Sequence, residues 1–564
     1  MTAYRTLPDH EQTGWPKGVP YIIGNEGCER FSFYGMKAIL FVYLTQLLAS
    51  QGVLSQVAER EATDIVHTFN AAVYALPMVG ALIADRFWGK YPTILWLSLC
   101  YCAGHACLAL FETNFTGFVA GLVLIAVGAG GIKPCVSAHV GDQFGRGNWH
   151  KVERVYQAFY FIINFGSMFS TLLVPAIKQR YGFGWAFALP GILMGLATIW
   201  FWMGRKVFVH VAPRPGGKLG LLDVASGVAL FMTIAAPMFG SGLVESYAGL
   251  GVVGRLVVSL AFLAVGLALF AYRQRLAPDD GFLAVLFYSV RAKLTGEPLT
   301  TSLPRADQRA SWPAQPATSL PRADEAAGSP PLSRFWQPAL SRFGREAAEG
   351  PPAVLRIISV FFLVSVFWAL FDQHSSSWIA QAREMDRHVT LLGFSFELLP
   401  EQIQAANPAL VMLLVPLMGY LVYPAIEKLL RIRMTPLRRM TIGMFVASLS
   451  FAIVALAQQR LDAGEHVHVS VQLLAFLVLT LAEVMISITG LEFAYTQAPR
   501  RMKSLVMGFW MLAVSLGNVL VALLARFEAL PRVQFFWTFA ALMLGAAALF
   551  GVRAAFYRYQ TYTQ

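Results

Sequence analysis

The stretch NEGCERFSFYGMK, residues 25–37, sets Glu26, Glu29, Arg30 and Lys37 inside a run that otherwise reads as membrane-spanning. An ionisable side chain at a bilayer centre costs about 2.5–3.5 kcal/mol on insertion scales, so four unpaired ones would cost roughly 10 kcal/mol. They must be paired, hydrated or used. At about 100° per residue, Glu26, Glu29, Arg30, Phe33 and Lys37 fall in one sector of a helix, with Tyr34 at its edge. A polar stripe on a spanning helix has to face a water-filled cavity, because neither lipid nor dry packing solvates it. A buried ion-pair network that only fixes helix packing is the weaker reading, since two glutamates beside one arginine need further cations. The stretch therefore predicts spanning helices gathered round a wet interior.

The rest of the chain agrees. Its 564 residues are 56% hydrophobic and 13% charged, with a mean hydropathy of +0.55, more apolar surface than a soluble protein of this length can hide. The opening residues MTAYRTLPDHEQTGWPKG are polar and lack an apolar signal core, so the first span is expected to act as its own insertion signal. The five cysteines, Cys28, Cys100, Cys102, Cys107 and Cys135, fall in apolar stretches, which argues against a disulfide framework. Cys100, Cys102, Cys107 and His105 invite a metal reading, but their spacing matches no zinc pattern and points to several sides of a helix, so small-residue packing is preferred. No metal or cofactor is expected. The formal charge of +12 is better explained by topology than by a nucleic-acid partner.

Fourteen apolar runs near 20 residues long can each cross a bilayer core of about 30 Å. Lys and Arg crowd alternate loops (DRFWGKYP, GRGNWHKVER, EKLLRIRMTPLRR, APRRMK), which predicts that those loops and both termini are cytoplasmic, in an inner (plasma) membrane. The chain then divides into a cytosolic N-terminus (1–19), a six-helix bundle (20–206), a linker with a two-helix insert (207–274), a cytosolic linker (275–352), a second six-helix bundle (353–552) and a cytosolic C-terminus (553–564). Segment 275–352 is rich in Pro, Ala, Ser and Arg and repeats TSLPRAD at 301–307 and 318–324, so partial disorder is expected. Within it, LSRFWQPALSRF (332–343) is amphipathic enough to lie on a surface, though a solvated tether is the preferred reading. Two six-span halves joined on the inside resemble the layout of the major facilitator superfamily, an all-α integral membrane fold.

Further intramembrane polar residues come from both halves. GAGGIKPCVSAHVGDQF (128–144) buries Lys133 beyond two glycines that permit close helix approach. LTLAEVMISITGLEF (479–493) buries Glu483, while Glu492 lies half a turn round and cannot share its site unless residues 487–490 unwind. His67, Asn164, Trp368 and Asp372, Asn407, and Trp510 complete the set. Each has a bland alternative singly; together they predict a binding site at mid-depth.

At this point the residues resemble the proton-dependent oligopeptide transporter family. Glu26-x-x-Glu29-Arg30 matches its ExxER motif. GALIADRFWGKYPTIL (80–95) and FYFIINFGS (159–167) are similar to its two signatures, and GxGxxKP, FWALFDQ, NP and EVMISITGLEFAYTQAP follow in order. The extra apolar pair resembles the hairpin of bacterial members, while His67, FDQ and GLEF are more like animal ones.

The resemblance implies import of di- and tripeptides driven by protons, by a monomer embedded in the lipid bilayer. It implies that Lys133 and Lys37 receive the peptide carboxylate, that Asn164, Asn407 and Glu483 receive the amino terminus, and that Tyr34, Tyr74, Trp368 and Trp510 line the site. It further implies gates made by Lys133 with Glu483 on the inside and Lys37 with Asp372 on the outside. Proton coupling is expected at Glu26, Glu29, Arg30, Lys133 and Glu483, with His67 and Asp372 as a second relay. Three departures, Phe33 for a tyrosine, Lys37 for an arginine and Cys135 for an asparagine, predict altered affinity or selectivity. Rival readings are a carrier of another anionic or zwitterionic solute, such as nitrate or an amino acid, or a drug/proton antiporter. An intramembrane enzyme is disfavoured, since HEXXH and GxSxG are absent from the spans.

Overall fold

The computed structural model describes residues 4–243, 249–296, 333–391, 393–498, 502–526, 530–557 and 559. Among these residues fourteen helices are long and apolar enough to cross a membrane. The first six are α1 (Val19–Ser50), α2 (Ser55–Trp88), α3 (Lys90–Leu110), α4 (Phe115–Asp142), α5 (Val152–Tyr181) and α6 (Phe183–Met203). They share one hydrophobic core built round Phe33, Tyr101, Phe118 and Phe187. A hairpin follows, α7 (Gly217–Leu243) and α8 (Val252–Leu276). The second half has its own core round Phe361, Trp378, Phe451 and Phe539. Two cores in one chain are the physical meaning of two halves: each bundle buries its own apolar faces and leaves the seam between them free for polar groups.

Small residues set the helix spacing, as expected where lipid gives helices no hydrophobic reason to associate. A Cβ on Gly80 of α2 would lie 2.3 Å from the Gly130 carbonyl oxygen and 2.6 Å from the Gly131 Cα of α4. Gly128 faces the Cβ of Tyr101 at 2.7 Å from such a position. The obstruction at Gly80 is backbone, which cannot swing aside. Gly80→Ala is therefore expected to lower stability by about 1–3 kcal/mol through overpacking. Gly545→Ala, where nothing lies within 4 Å, should be neutral or gain up to about 1 kcal/mol of helix propensity. Thermal melts in detergent decide, and equal melting of the two variants would contradict the close packing.

The hairpin stands to one side. Arg273 Nε reaches Asp223 Oδ1 at 2.6 Å, and Arg86 lies 3.5 Å from Asp223 Oδ2, tying α8 and α2 to α7. The outer face of α8 shows Val253, Leu256, Val257 and Leu260, a lipid-facing surface.

Part of the segment read as a cytosolic linker is folded. Helices α9 (Phe282–Thr295) and α10 (Gln337–Phe343) pack on the start of α11 (Arg345–Phe371). Val285, Tyr288, Ala339, Ala347 and Ala348 form a small core there, and the Tyr288 and Phe343 rings meet edge-on at 5.5 Å. The amphipathic stretch 332–343 thus spends its apolar face on α9 and α11 from residue 333 onward rather than hanging free. The TSLPRAD repeats and the expected disorder at 297–332 lie outside the described residues, as does most of 558–564.

After α11 a short helix, Ser377–Glu384, and a hairpin of strands β1 (His388–Leu391) and β2 (Phe394–Glu397) lead to α12 (Pro400–Leu429). Then come α13 (Pro436–Asp462), α14 (Ser470–Ala494), α15 (Lys503–Ala525) and α16 (Arg532–Ala555). Two of these helices contain π-turns, at Met418–Val422 in α12 and Val484–Ile488 in α14. Such turns insert one residue and shift the face that follows. We call the end of the bundle where α1 begins the near face and the opposite end the far face.

Candidate functional site

The charges of α1 are paired within a compact cluster. Arg30 Nε lies 2.7 Å from Glu26 Oε1 and 3.3 Å from Glu29 Oε2, and Lys133 Nζ of α4 lies 3.4 Å from Glu29 Oε1. All four are buried or nearly so: Glu29 has no exposed surface, and Arg30 has 15% of its side chain exposed. Two acids face two bases, so the cluster is neutral as a whole. Yet among the described residues neither Glu29 oxygen nor Lys133 Nζ has a well-directed hydrogen bond. Glu29 is held by charge alone, the arrangement in which adding a proton breaks the fewest directed bonds. Phe33, which replaces the expected tyrosine, puts its ring 4.1 Å below the Lys133 ammonium, an attraction that needs a π-face and no hydroxyl.

Above this cluster lies a cavity of about 120 Å³ shared by both halves. Its walls are Tyr34 and Lys37 of α1, Tyr74 of α2, Asn164 of α5, Trp368 of α11 with Asp372 just beyond its end, Asn407 of α12 and Glu483 of α14. Glu483 Oε2 accepts from Asn407 Nδ2 at 2.7 Å, and the same amide reaches Thr480 Oγ1 at 3.1 Å. Asn164 Nδ2 donates to the Tyr160 carbonyl at 2.9 Å. The Trp368 indole N–H, a donor at the cavity wall, is buried and has no partner among the described residues. Trp510 does not line the cavity. It is 2% exposed and meets Trp368 edge-on from behind at 6.2 Å, against the space left by Gly490. Glu492 also lies elsewhere, 4.0 Å from Arg439.

Toward the far face the two halves are locked. Lys37 Nζ pairs with Asp372 Oδ1 at 2.7 Å, both side chains 4% exposed. The other oxygen, Oδ2, accepts from Asn518 Nδ2 at 2.7 Å, and Asn518 Oδ1 meets His67 Nδ1 at 2.8 Å. His67 Nε2 continues the chain to Ser376 Oγ at 2.8 Å. The compact lysine explains this branching: an arginine fork would occupy both carboxylate oxygens, whereas an ammonium takes one and leaves the other to Asn518. His67 and Asp372 are thus linked, through Asn518 and not directly. Farther out, Arg526 grips Asp64 at 3.0 and 3.1 Å, Arg532 bridges Glu59 at 2.7 Å and Glu384 at 2.6 Å, and Lys178 pairs with Glu401.

The expected pair of Lys133 with Glu483 is not made in this conformation. Each charge is satisfied within its own half, Lys133 by Glu29 and Glu483 by Asn407, so neither needs to cross the cavity. Sequence reasoning also passed over Asn518, Ser376, Gln404 and His374. Asn518 carried a signal, being a lone amide in the apolar run SLGNVLVALLA; Lys178 and Glu401 carried none, because charges at span ends are ordinary.

Two six-helix bundles with a hairpin inserted between them, closing round a polar cavity, define a major facilitator superfamily fold. Comparison with known proteins takes this one step further. The POT family model matches residues 91–220 and 332–539, and the chain belongs to that family. A Drosophila melanogaster protein, peptide transporter family 1, is 31% identical over 80% of this chain and 49% of its own length. Solute carrier family 15 member 1 of Oryctolagus cuniculus is 30% identical over 80% of this chain and 53% of its own. The chain therefore spans about half the length of these curated relatives. Among solved structures, that of an auto inhibited POT family peptide transporter is 36% identical and superposes with a TM-score of 0.74, covering 97% of this chain and 99% of that one. The POT family transporter PepTSo is 35% identical with a TM-score of 0.71, over 96% of this chain and 98% of that one.

Proposed function

We propose that this chain is a proton-coupled symporter that imports di- and tripeptides by alternating access, as a monomer in the plasma (inner) membrane with both termini cytoplasmic. The near face is then the inside. The observation that carries the reading is that one cavity holds a cation, Lys37, at one side and the acceptors Glu483, Asn407 and Asn164 at the other, with Lys133 beside it in the α1 cluster. A peptide zwitterion has fixed charged ends and a variable middle, so such a site holds the ends and tolerates the side chain. The peptide-transporter names of the Drosophila relative and of the auto inhibited POT structure, which match most of this chain, point the same way.

In this reading the far-face lock of Lys37 with Asp372, extended through Asn518 to His67, is the closed outer gate. The separated Lys133 and Glu483 are the open inner one, since the two halves can close on one face at a time. A proton delivered to Glu29 neutralises the acid that holds Lys133 and frees the ammonium for the peptide carboxylate. His67, linked to Asp372 through Asn518, carries the second proton at the outer gate in this reading, which the two hydrogen bonds support. The gradient supplies the energy, and no cofactor enters. Labelled dialanine uptake into proteoliposomes, with an inward proton gradient and again with an uncoupler, tests the proposal. Accumulation that the uncoupler collapses, and that dipeptides and tripeptides inhibit while nitrate and free amino acids do not, is the expected result. Uptake indifferent to the gradient would overturn it.

A further inference from the structure

Between the central cavity and the near face, α12 and α14 wall a second opening. It measures about 280 Å³, with Met418, Tyr423 and Glu427 of α12 on one side, Glu492 of α14 on the other and Arg439 of α13 at the back. Adjacent residues of α14 serve the two spaces: Glu483 lines the central cavity and Val484 the near-face one. Both π-turns of these walls, Met418–Val422 and Val484–Ile488, fall at this level. That placement is where such turns occur when they shape a site.

The polar groups inside are incompletely used. Tyr423 is 8% exposed, and among the described residues neither its hydroxyl nor the buried Arg439 Nε has a hydrogen-bond partner. The Arg439 guanidinium stacks 4.4 Å over the Tyr423 ring, which fixes its plane. Glu492 Oε2, its ion-pair partner among the described residues, stands at 4.0 Å, beyond hydrogen-bond reach. Glu427 Oε1 accepts from the Met434 backbone amide at 2.8 Å, the one bond of this carboxylate among the described residues. A fixed cation with a spare N–H, an idle hydroxyl and two half-engaged carboxylates round one opening form a receptor for a small molecule with an anionic end and an ammonium end.

We propose that this crevice is a second binding site for the peptide zwitterion, occupied on the near-face side of the central cavity. Arg439 and the Tyr423 hydroxyl hold the carboxylate, and Glu427 and Glu492 hold the ammonium. The inference rests on the peptide reading given above, and the two fail differently.

Titration calorimetry of dialanine against the full chain in nanodiscs of phosphatidylcholine tests it, since that lipid has no primary ammonium to compete. The wild-type chain is expected to bind two dialanine molecules and Arg439→Gln one, with the central affinity unchanged. Glu492→Gln, at a half-exposed position where folding is not at stake, should weaken the near-face site about tenfold, the loss of one charge-assisted hydrogen bond. Lys133→Ala should retain only the near-face site. One dialanine on the wild-type chain, or two on Arg439→Gln, would overturn the second site while leaving transport intact. No dialanine bound to the wild-type chain would instead sink the peptide reading itself.

Discussion

Glu29→Gln is expected to abolish gradient-driven accumulation of dipeptide while leaving exchange of labelled for unlabelled peptide in place. The side chain keeps its volume and loses only its titration, so the packing of a fully buried position is undisturbed. What disappears is the acid 3.4 Å from Lys133 and 3.3 Å from Arg30. With that charge gone, Lys133 stays free in every step, so the site binds and releases peptide without needing a proton. An imposed gradient of about one pH unit stores about 1.4 kcal/mol per proton, which concentrates cargo up to about tenfold in a coupled carrier. The variant should reach the same concentration on both sides and go no further. Tenfold accumulation by Glu29→Gln would mean that coupling resides elsewhere.

The second large effect concerns the far-face lock. Asp372→Ala leaves the Lys37 ammonium 3% exposed and unpaired, and breaking one partner of a buried pair costs about 3–5 kcal/mol. It also strands Asn518, whose amide donates to Asp372 at 2.7 Å. The double variant Lys37→Met with Asp372→Leu removes both charges together and should recover most of that loss, because apolar replacement of a buried pair is often neutral or stabilising. Both variants lose the outer closure and so should lose transport. Melting temperature therefore separates from function: the single variant falls in both, the double variant falls chiefly in transport. A single variant that melts with the wild-type chain would show that the pair is not sealed from water.

These effects also mark how far the sequence could be read. The charges of residues 26–37 lie on one face of α1 because 3.6 residues make a turn, and that follows from spacing alone. Lys133 could be seen to need an acid, since a lysine in an apolar run is costly without one. Which acid it takes was not visible. Glu29 and Glu483 are chemically equivalent partners, and the choice between them depends on how far apart the halves stand. Likewise Trp510 and Trp368 look alike in sequence, yet one lies behind the other once Gly490 opens space for the first ring. The pairing of His67 with Asp372 needed a third residue, Asn518, from a helix more than 140 residues further along than Asp372. The helices α9 and α10 were hidden because they are too short to span a bilayer and sit in a segment rich in Pro, Ala, Ser and Arg, while their apolar faces are matched to each other and to α11.

The sequence by itself determined that this chain spans a membrane with fourteen helices, two six-helix halves and a hairpin between them, and which residues would be polar inside it. Those properties are local: the length of an apolar run and the angle between residues on a helix suffice. Only the tertiary structure decided the partners. It set Lys133 on Glu29, Lys37 on Asp372 with Asn518 behind, and Glu492 away from Glu483 in a chamber of its own. Electrostatic pairing falls off with distance and depends on burial. It is therefore chosen by the packing of helices hundreds of residues apart, which no periodicity records.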